Sequence, residues 1–347
     1  MQAGGEKGDV PPGVGRAEEL RDMTRRALRP AVSGAPEPAG RSRAAERRAP
    51  ARPKPTWRAA LLAVLAAGLA GGTAAVLWPR AAPETAPRAA GIILAAPADE
   101  AALLAVAPAA ATAYPFAPEP SIIVVLYPSL HSQALALNRI GAFVEKAGAP
   151  HDRVLGSAEL SHAIESSGDA FDTYYFGHDY RAADLNRFFA AAAAGHVALN
   201  AEEAALRRFA AARGWLSADA RGALISLPPA GATTELDGTG RAAILRHELS
   251  HGAYFTQPAY AAAAQGVWRG LDEADRAAFR RFLAQSGYDT GEDDLMCNET
   301  QAYLVHTEDN RFFTAAAVGL PADHIRALRT RFINAMPEGW LRARTPR

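Results

Sequence analysis

The chain has 347 residues, room for two domains, with 37 basic and 37 acidic side chains and 49% apolar residues. Its single cysteine, Cys297, excludes an internal disulfide framework and leaves the redox compartment unmarked. The charge balance is uneven: residues 1–56 carry 12 Lys or Arg against 7 Asp or Glu, a net of +5, and the rest carries 25 against 30, a net of −5, so no nucleic acid is expected as a partner.

In chain order, residues 1–56 are rich in Arg, Gly, Pro and Ala and nearly free of large apolar side chains. Such a segment cannot bury enough surface to offset its ordering entropy, so it reads as a disordered basic segment, and it lacks the interleaved aromatics of a nucleic-acid arm. Ala59–Pro79 then runs 21 residues without a charge, bracketed by Trp57 and Trp78. At roughly 1.5 Å per helical residue this spans a bilayer core, so residues 57–79 are expected to form one transmembrane helix. A buried Ala-rich helix and a cleaved signal peptide are the rival readings. Seven basic residues from Arg41 to Arg58 precede the segment and only Arg80 and Arg88 follow it closely. That asymmetry places the N-terminus in the cytoplasm and residues 89–347 in the periplasm or outside the cell, anchored to the inner (cell) membrane. Residues 80–88 form a Pro/Ala-rich tether.

Residues 89–347 suffice for one substantial core, and their elements predict an α+β fold. Ser121–Tyr127 is a β-branched run suited to a buried strand, followed by a helix carrying Leu137, Ile140 and Val144 and ending before Gly148. Phe171–Phe176 is a second candidate strand, ending at Gly177-His178-Asp179-Tyr180, from which a helix with Ala182, Leu185 and Phe188 starts. Asn200 and Glu203 form an N-cap and N3 pair opening a helix through Leu206 and Phe209 that stops at Gly214. Ala223–Leu227 is a further strand, ended by Pro228-Pro229. Beyond the central motif, helices are expected over Asp272–Gly287 and Pro321–Met336.

Between these lies Arg246-His247-Glu248-Leu249-Ser250-His251. Asp237-Gly238-Thr239-Gly240 offers a helix start and Gly252 a helix end. On that helix Ile244, His247, Glu248 and His251 share a face, so both imidazoles reach one metal ion while Glu248 stands beside it. Zinc with three protein ligands leaves a fourth position for water. A third ligand from an H-x-x-G-x-x-H extension is missing, and no Asp follows until Asp272. Downstream, Asp293-Asp294-Leu295-Met296-Cys297-Asn298-Glu299-Thr300-Gln301-Ala302-Tyr303-Leu304-Val305-His306 reads as one helix with Glu299, Ala302, Tyr303 and His306 on a common face, small at Ala302 where another helix can approach.

His247-Glu248-x-x-His251 followed by Asn298-Glu299-x-x-Ala302 resembles the gluzincin group of zincin metallopeptidases, the thermolysin-like enzymes. The resemblance covers these two helices. It implies a two-lobed zincin-like domain, a mixed sheet with helices followed by a helical C-terminal lobe. It also implies Zn2+ held by His247, His251 and Glu299, Glu248 as catalytic base, and a protein or peptide substrate paired along the strand before the motif, Ala223–Leu227. The 47 residues between His251 and Glu299 exceed the thermolysin spacing and leave the subfamily unassigned. Tyr254, Tyr303 and His306 are candidate oxyanion donors. His178 is a candidate to line the cleft, whereas His131, His151, His162, His196 and His324 read as surface or satisfied groups. Two alternatives stand beside a membrane-tethered zinc peptidase: a non-catalytic module stapled by closed zinc with Asp293 or Cys297 as fourth ligand, and a zinc amidase acting on a cell-wall or small amide.

Overall fold

The computed structural model describes residues 91–233 and 236–345. The basic segment 1–56, the transmembrane helix 57–79 and the tether 80–88 lie outside them. Among the described residues, no helix is long and apolar enough to cross a membrane.

The β-branched run before Tyr127 becomes the central strand. Five strands, β1 (Ile93–Leu94), β2 (Thr112–Phe116), β3 (Glu119–Leu126), β4 (His178–Arg181) and β5 (Ala223–Leu227), form one mixed sheet in the order β1-β2-β3-β5-β4. β3 runs parallel to β5 and antiparallel to β2, and β4 runs antiparallel to β5. Ile122–Leu126 and the apolar residues of β5 are buried, because helices cover both faces.

One face packs Ile123, Val125 and Leu224 against helices α2 (Leu130–Glu145), α4 (Ala182–Ala194) and α5 (Ala201–Ala212). The other packs Ile122, Val124, Ile225 and Leu227 against α1 (Glu100–Ala105) and Ile244, Leu245 and Leu249 of α6 (Gly238–Thr256). The helix α3 (Ser157–Ser167) packs with Ala142 of α2 and with Tyr174 and Tyr175 in a smaller cluster. Beyond α6, a core around Trp268, Phe279, Phe282, Met296 and Phe332 unites α7 (Pro258–Arg269), α8 (Glu273–Gln285), α9 (Asp293–Gln301) and α11 (Ala322–Ala335). Helices α10 (Ala315–Val318) and α12 (Trp340–Ala343) complete the chain. The fold is α+β, with α6 between sheet and helices.

Several local expectations hold. Asn200 caps α5 by accepting from Glu203 N at 2.8 Å, and Glu203 Oε2 accepts from Asn200 N at 2.9 Å. Asp237 caps α6 through Gly240 N at 2.8 Å. Others are corrected. Phe171–Thr173 is a 3-10 turn rather than a strand, and the strand begins only at His178. The Phe171 carbonyl accepts from Asn138 Nδ2 at 2.7 Å, and Tyr174 and Tyr175 are buried in the α3 cluster, so tertiary packing overrides their β propensity. Gly252 does not end its helix, which runs to Thr256. A Cβ at Gly252 would lie 2.9 Å from two side-chain carbons of Ile122, so this glycine lets α6 approach β3. The expected helix from Asp293 to His306 changes pitch, with Ala302–His306 forming a π turn.

Candidate metal centre

His247 and His251 sit one turn apart on α6, and Glu299 reaches them from α9. His251 Nε2 lies 3.0 Å from His247 Nε2, while the Glu299 oxygens lie 3.8 Å from His247 Nε2 and 3.7 Å from His251 Nε2. Ligands of a tetrahedral zinc ion with bonds near 2.05 Å stand about 3.4 Å apart, so these separations bracket that spacing. Glu299 is fully buried, and neither of its oxygens makes a hydrogen bond of ordinary geometry. A buried, unpartnered carboxylate is costly without a cation, so the donor set fits a metal ion.

The π turn orients this centre. His247 Nδ1 lies 2.8 Å from Thr307 Oγ1, and that hydroxyl donates to the Ala302 carbonyl at 3.0 Å. With its hydrogen so used, Thr307 accepts from His247 Nδ1–H and leaves the Nε2 lone pair for a ligand. Gln301 Nε2 donates to Ser250 Oγ at 3.2 Å, and Ser250 donates to the His247 carbonyl at 2.7 Å, linking α9 to α6. Ser250 and Gln301 occupy unspecified positions of the two motifs, and Thr307 lies outside both. Thr307 follows directly on the predicted helix, and no local pattern marks it.

Glu248 is buried beside Gly177. A Cβ at Gly177 would come within 1.9 Å of Glu248 Oε1, so only glycine leaves room for this carboxylate. Its other oxygen, Oε2, is buried without a partner. A pocket of about 70 Å³ opens here, lined by Tyr175, Phe176, Gly177, His247, Glu248 and Tyr303, among others.

Of the other candidates, Tyr303 lines this pocket with its ring edge-on to His247, centroids 4.6 Å apart. Tyr254 is turned away and donates to Asp294 Oδ1 at 2.6 Å. His306 is buried, 3.1 Å from the Tyr260 hydroxyl. Neither lines the pocket. His178 is buried against Ser226 Oγ at 2.8 Å and does not line it either. Asp293 accepts from Trp268 Nε1 at 2.8 Å and Arg280 Nη2 at 2.7 Å, and Cys297 is packed in the helical core. Neither belongs to a metal-ligating cluster among the described residues.

Two acids that the sequence reading passed over complete the surroundings. Asp179 pairs with Ile225 across β4 and β5 and therefore faces α6; its Oδ2 lies 3.8 Å from His251 Nε2. Glu145 ends α2 and is fixed by its carbonyl accepting from Asp289 N at 2.9 Å, next to a Lys146–Tyr288 bridge. A signal for Asp179 existed in strand alternation, but Glu145 arrives through a long-range pairing that no local pattern encodes.

Burial dominates the electrostatics. It pushes Glu145 and Asp179 up to about 7, with the Asp179 charge adding to Glu145. Glu248 and Glu299 are raised well above the usual carboxylate range, by burial first and then by neighbouring carboxylates, Asp179 foremost. Burial lowers His251 to about 4 and His247 well below 6.5, leaving both neutral and able to ligate. Compared with known proteins, the chain matches no family model, no curated protein and no solved structure. The functional reading therefore stands on this geometry.

Proposed function

We propose that the protein is a membrane-anchored, zinc-dependent metallopeptidase of the gluzincin type, with a two-lobed zincin-like domain and with residues 57–79 holding that domain outside the cytoplasm. The observation that carries this reading is the convergence of His247, His251 and the unpartnered Glu299 beside a carboxylate, Glu248, that opens onto a pocket. The position of α6 between the sheet and the helical half agrees with it.

His247, His251 and Glu299 would hold the ion, which supplies an acidified water and polarises the scissile carbonyl. Glu248 takes the proton of the attacking water and returns it to the leaving amine. Thr307 keeps His247 in the ligating tautomer. Tyr303 is the oxyanion donor we retain from the sequence reading, because it alone of the three lines the pocket. Substrate pairing moves from β5 to β4: β5 has β3 on one side and β4 on the other, whereas β4 is the edge strand and follows the pocket-lining residues 175–177.

The small volume of the pocket, about 70 Å³, and the fully paired β5 favour a second reading within the same chemistry, an amidase for a small or cell-wall amide. Hydrolysis of an unstructured protein beside N-acyl amino acid amides separates the two. In either assay Glu248→Gln is expected to retain zinc and lower turnover by about 10²–10⁴-fold. An unchanged rate would refute the mechanism.

A further inference from the structure

The carboxylates outnumber what one zinc site uses. Glu145, Asp179 and Glu299 come from α2, β4 and α9, and one oxygen from each lies within 4.8 Å of the others. A cation with oxygen ligands at 2.0–2.4 Å spans about 4.8 Å at most between opposite ligands, so these three atoms fit around a single ion. Two further observations point to such an ion. Neither oxygen of the fully buried Glu299 makes a hydrogen bond of ordinary geometry, and Tyr288 is the polar side chain placed to offer it one. Glu248 Oε2 is likewise buried and unpartnered, and Glu248 shares a second ligand cluster with Asp179 and His251.

The nearby cations offset part of the cluster's charge, Lys146 at Glu145 and Glu299 and Arg181 at Asp179, while contacts outside the cluster also hold them. Lys146 Nζ donates to the Ser286 carbonyl at 3.1 Å and lies over the rings of Tyr174 and Tyr175, at 4.7 and 4.6 Å. Arg181 Nη2 pairs with Asp294 Oδ2 at 2.6 Å. A separate pocket of about 280 Å³, lined by Glu145, Asp179, Asn298 and Asp294 among others, offers a path that does not cross the one beside Glu248.

We propose that Glu145, Asp179 and Glu299 form a second divalent-cation site adjoining the first, with Glu299 shared between the two ions. Three carboxylate donors without sulfur or imidazole suit a hard ion such as Mn2+ or Mg2+, while a single equivalent of zinc is drawn to the site with two imidazoles. The inference rests on the zinc centre of the preceding section for its neighbour, not for its own ligands.

The test uses the full-length chain, stripped of metal, given one equivalent of Zn2+ and titrated with Mn2+ while free Mn2+ is followed by electron paramagnetic resonance. Wild type is expected to remove one Mn2+ per chain from solution and keep its zinc. Glu145→Gln and Asp179→Asn, each checked for native circular dichroism, are expected to keep zinc and lose Mn2+ uptake. No Mn2+ uptake by zinc-loaded wild type overturns the second site and leaves the zinc centre intact. Undiminished uptake in both variants assigns the Mn2+ to surface acids and also overturns it. Should wild type retain no zinc, the proposed function falls; Mn2+ uptake abolished by the two variants would still support the carboxylate site, and its absence would overturn both.

Discussion

Two buried clusters of ionisable side chains are treated in opposite ways. On the sheet side, Arg139 of α2 and Glu203 of α5 form an ion pair with side chains 3% and 1% exposed. Arg139 Nε donates to Glu203 Oε1 at 2.8 Å, and its remaining donors reach the carbonyls of Leu155 and Ala198 at 3.3 and 3.1 Å. Glu203 also accepts from Asn200 N, which joins the pair to the α5 cap. At the α6–α9 junction, Glu145, Asp179, Glu248 and Glu299 converge with unpartnered oxygens among them. The first arrangement brings its counterion with it and is complete as folded. The second, on the proposed reading, would be completed by cations from outside, which is how a binding site would differ from a structural ion pair.

The comparison breaks most visibly at its self-sufficient end. Arg139→Met leaves Glu203 buried without its cation and is expected to destabilise the protein by about 3–5 kcal/mol, whether or not metal is present. Urea unfolding with and without zinc measures this, and a loss confined to the zinc-loaded protein would contradict the contrast. At the other end, Gly177→Ala forces a methyl group into the space of the Glu248 carboxylate. If the proposed function holds, a displacement near 1 Å is expected to lower turnover by about 10²-fold while zinc content, assigned there to His247, His251 and Glu299, stays unchanged. Gly252→Ala tests the packing that seats α6 on the sheet. Its methyl would crowd Ile122, with an expected loss of about 1–3 kcal/mol by thermal or urea unfolding.

The sequence announces the parts of this arrangement that are local. The spacing of His247, Glu248 and His251 needs only the helical pitch, and the caps at Asn200 and Asp237 need only their own turns. Glu299 was legible because the second helix repeats a recognisable pattern. What stayed hidden depends on contacts distant in sequence. The Ala302–His306 π turn alters the register beyond Glu299, so Thr307 rather than His306 meets His247. Asp179 matters because β4 lies beside β5 under α6, and strand order cannot be read from alternation. Gly252 has the composition of a helix end and the role of a packing notch. Burial decides between these, and it is a property of the assembled fold.

The smallest effect expected is a dependence on pH that only the metal-free protein should display. Asp179 and Glu145 rise from ordinary values of 3.8 and 4.5 to about 7 in the fold. Between roughly pH 4 and 7 the folded chain therefore holds protons that the unfolded chain has released, and stability from these groups declines as pH rises through that window. His251, His178 and His306 act in the opposite sense. Their folded values, about 4, 3 and 3, lie below the ordinary 6.5, so stability from them is full above pH 6.5 and declines as pH falls. The opposing slopes flatten the wild-type profile. Asp179→Asn removes one carboxylate and leaves the imidazoles, so its stability advantage over wild type in EDTA should be small near pH 4, grow towards pH 7 and level off above it. Chemical unfolding of both proteins at four pH values reads this directly, and a difference independent of pH would mean that burial does not hold the Asp179 carboxyl above its ordinary value. Restoring divalent metal should reverse the order, because the carboxylate that weakens the empty centre then serves as a ligand.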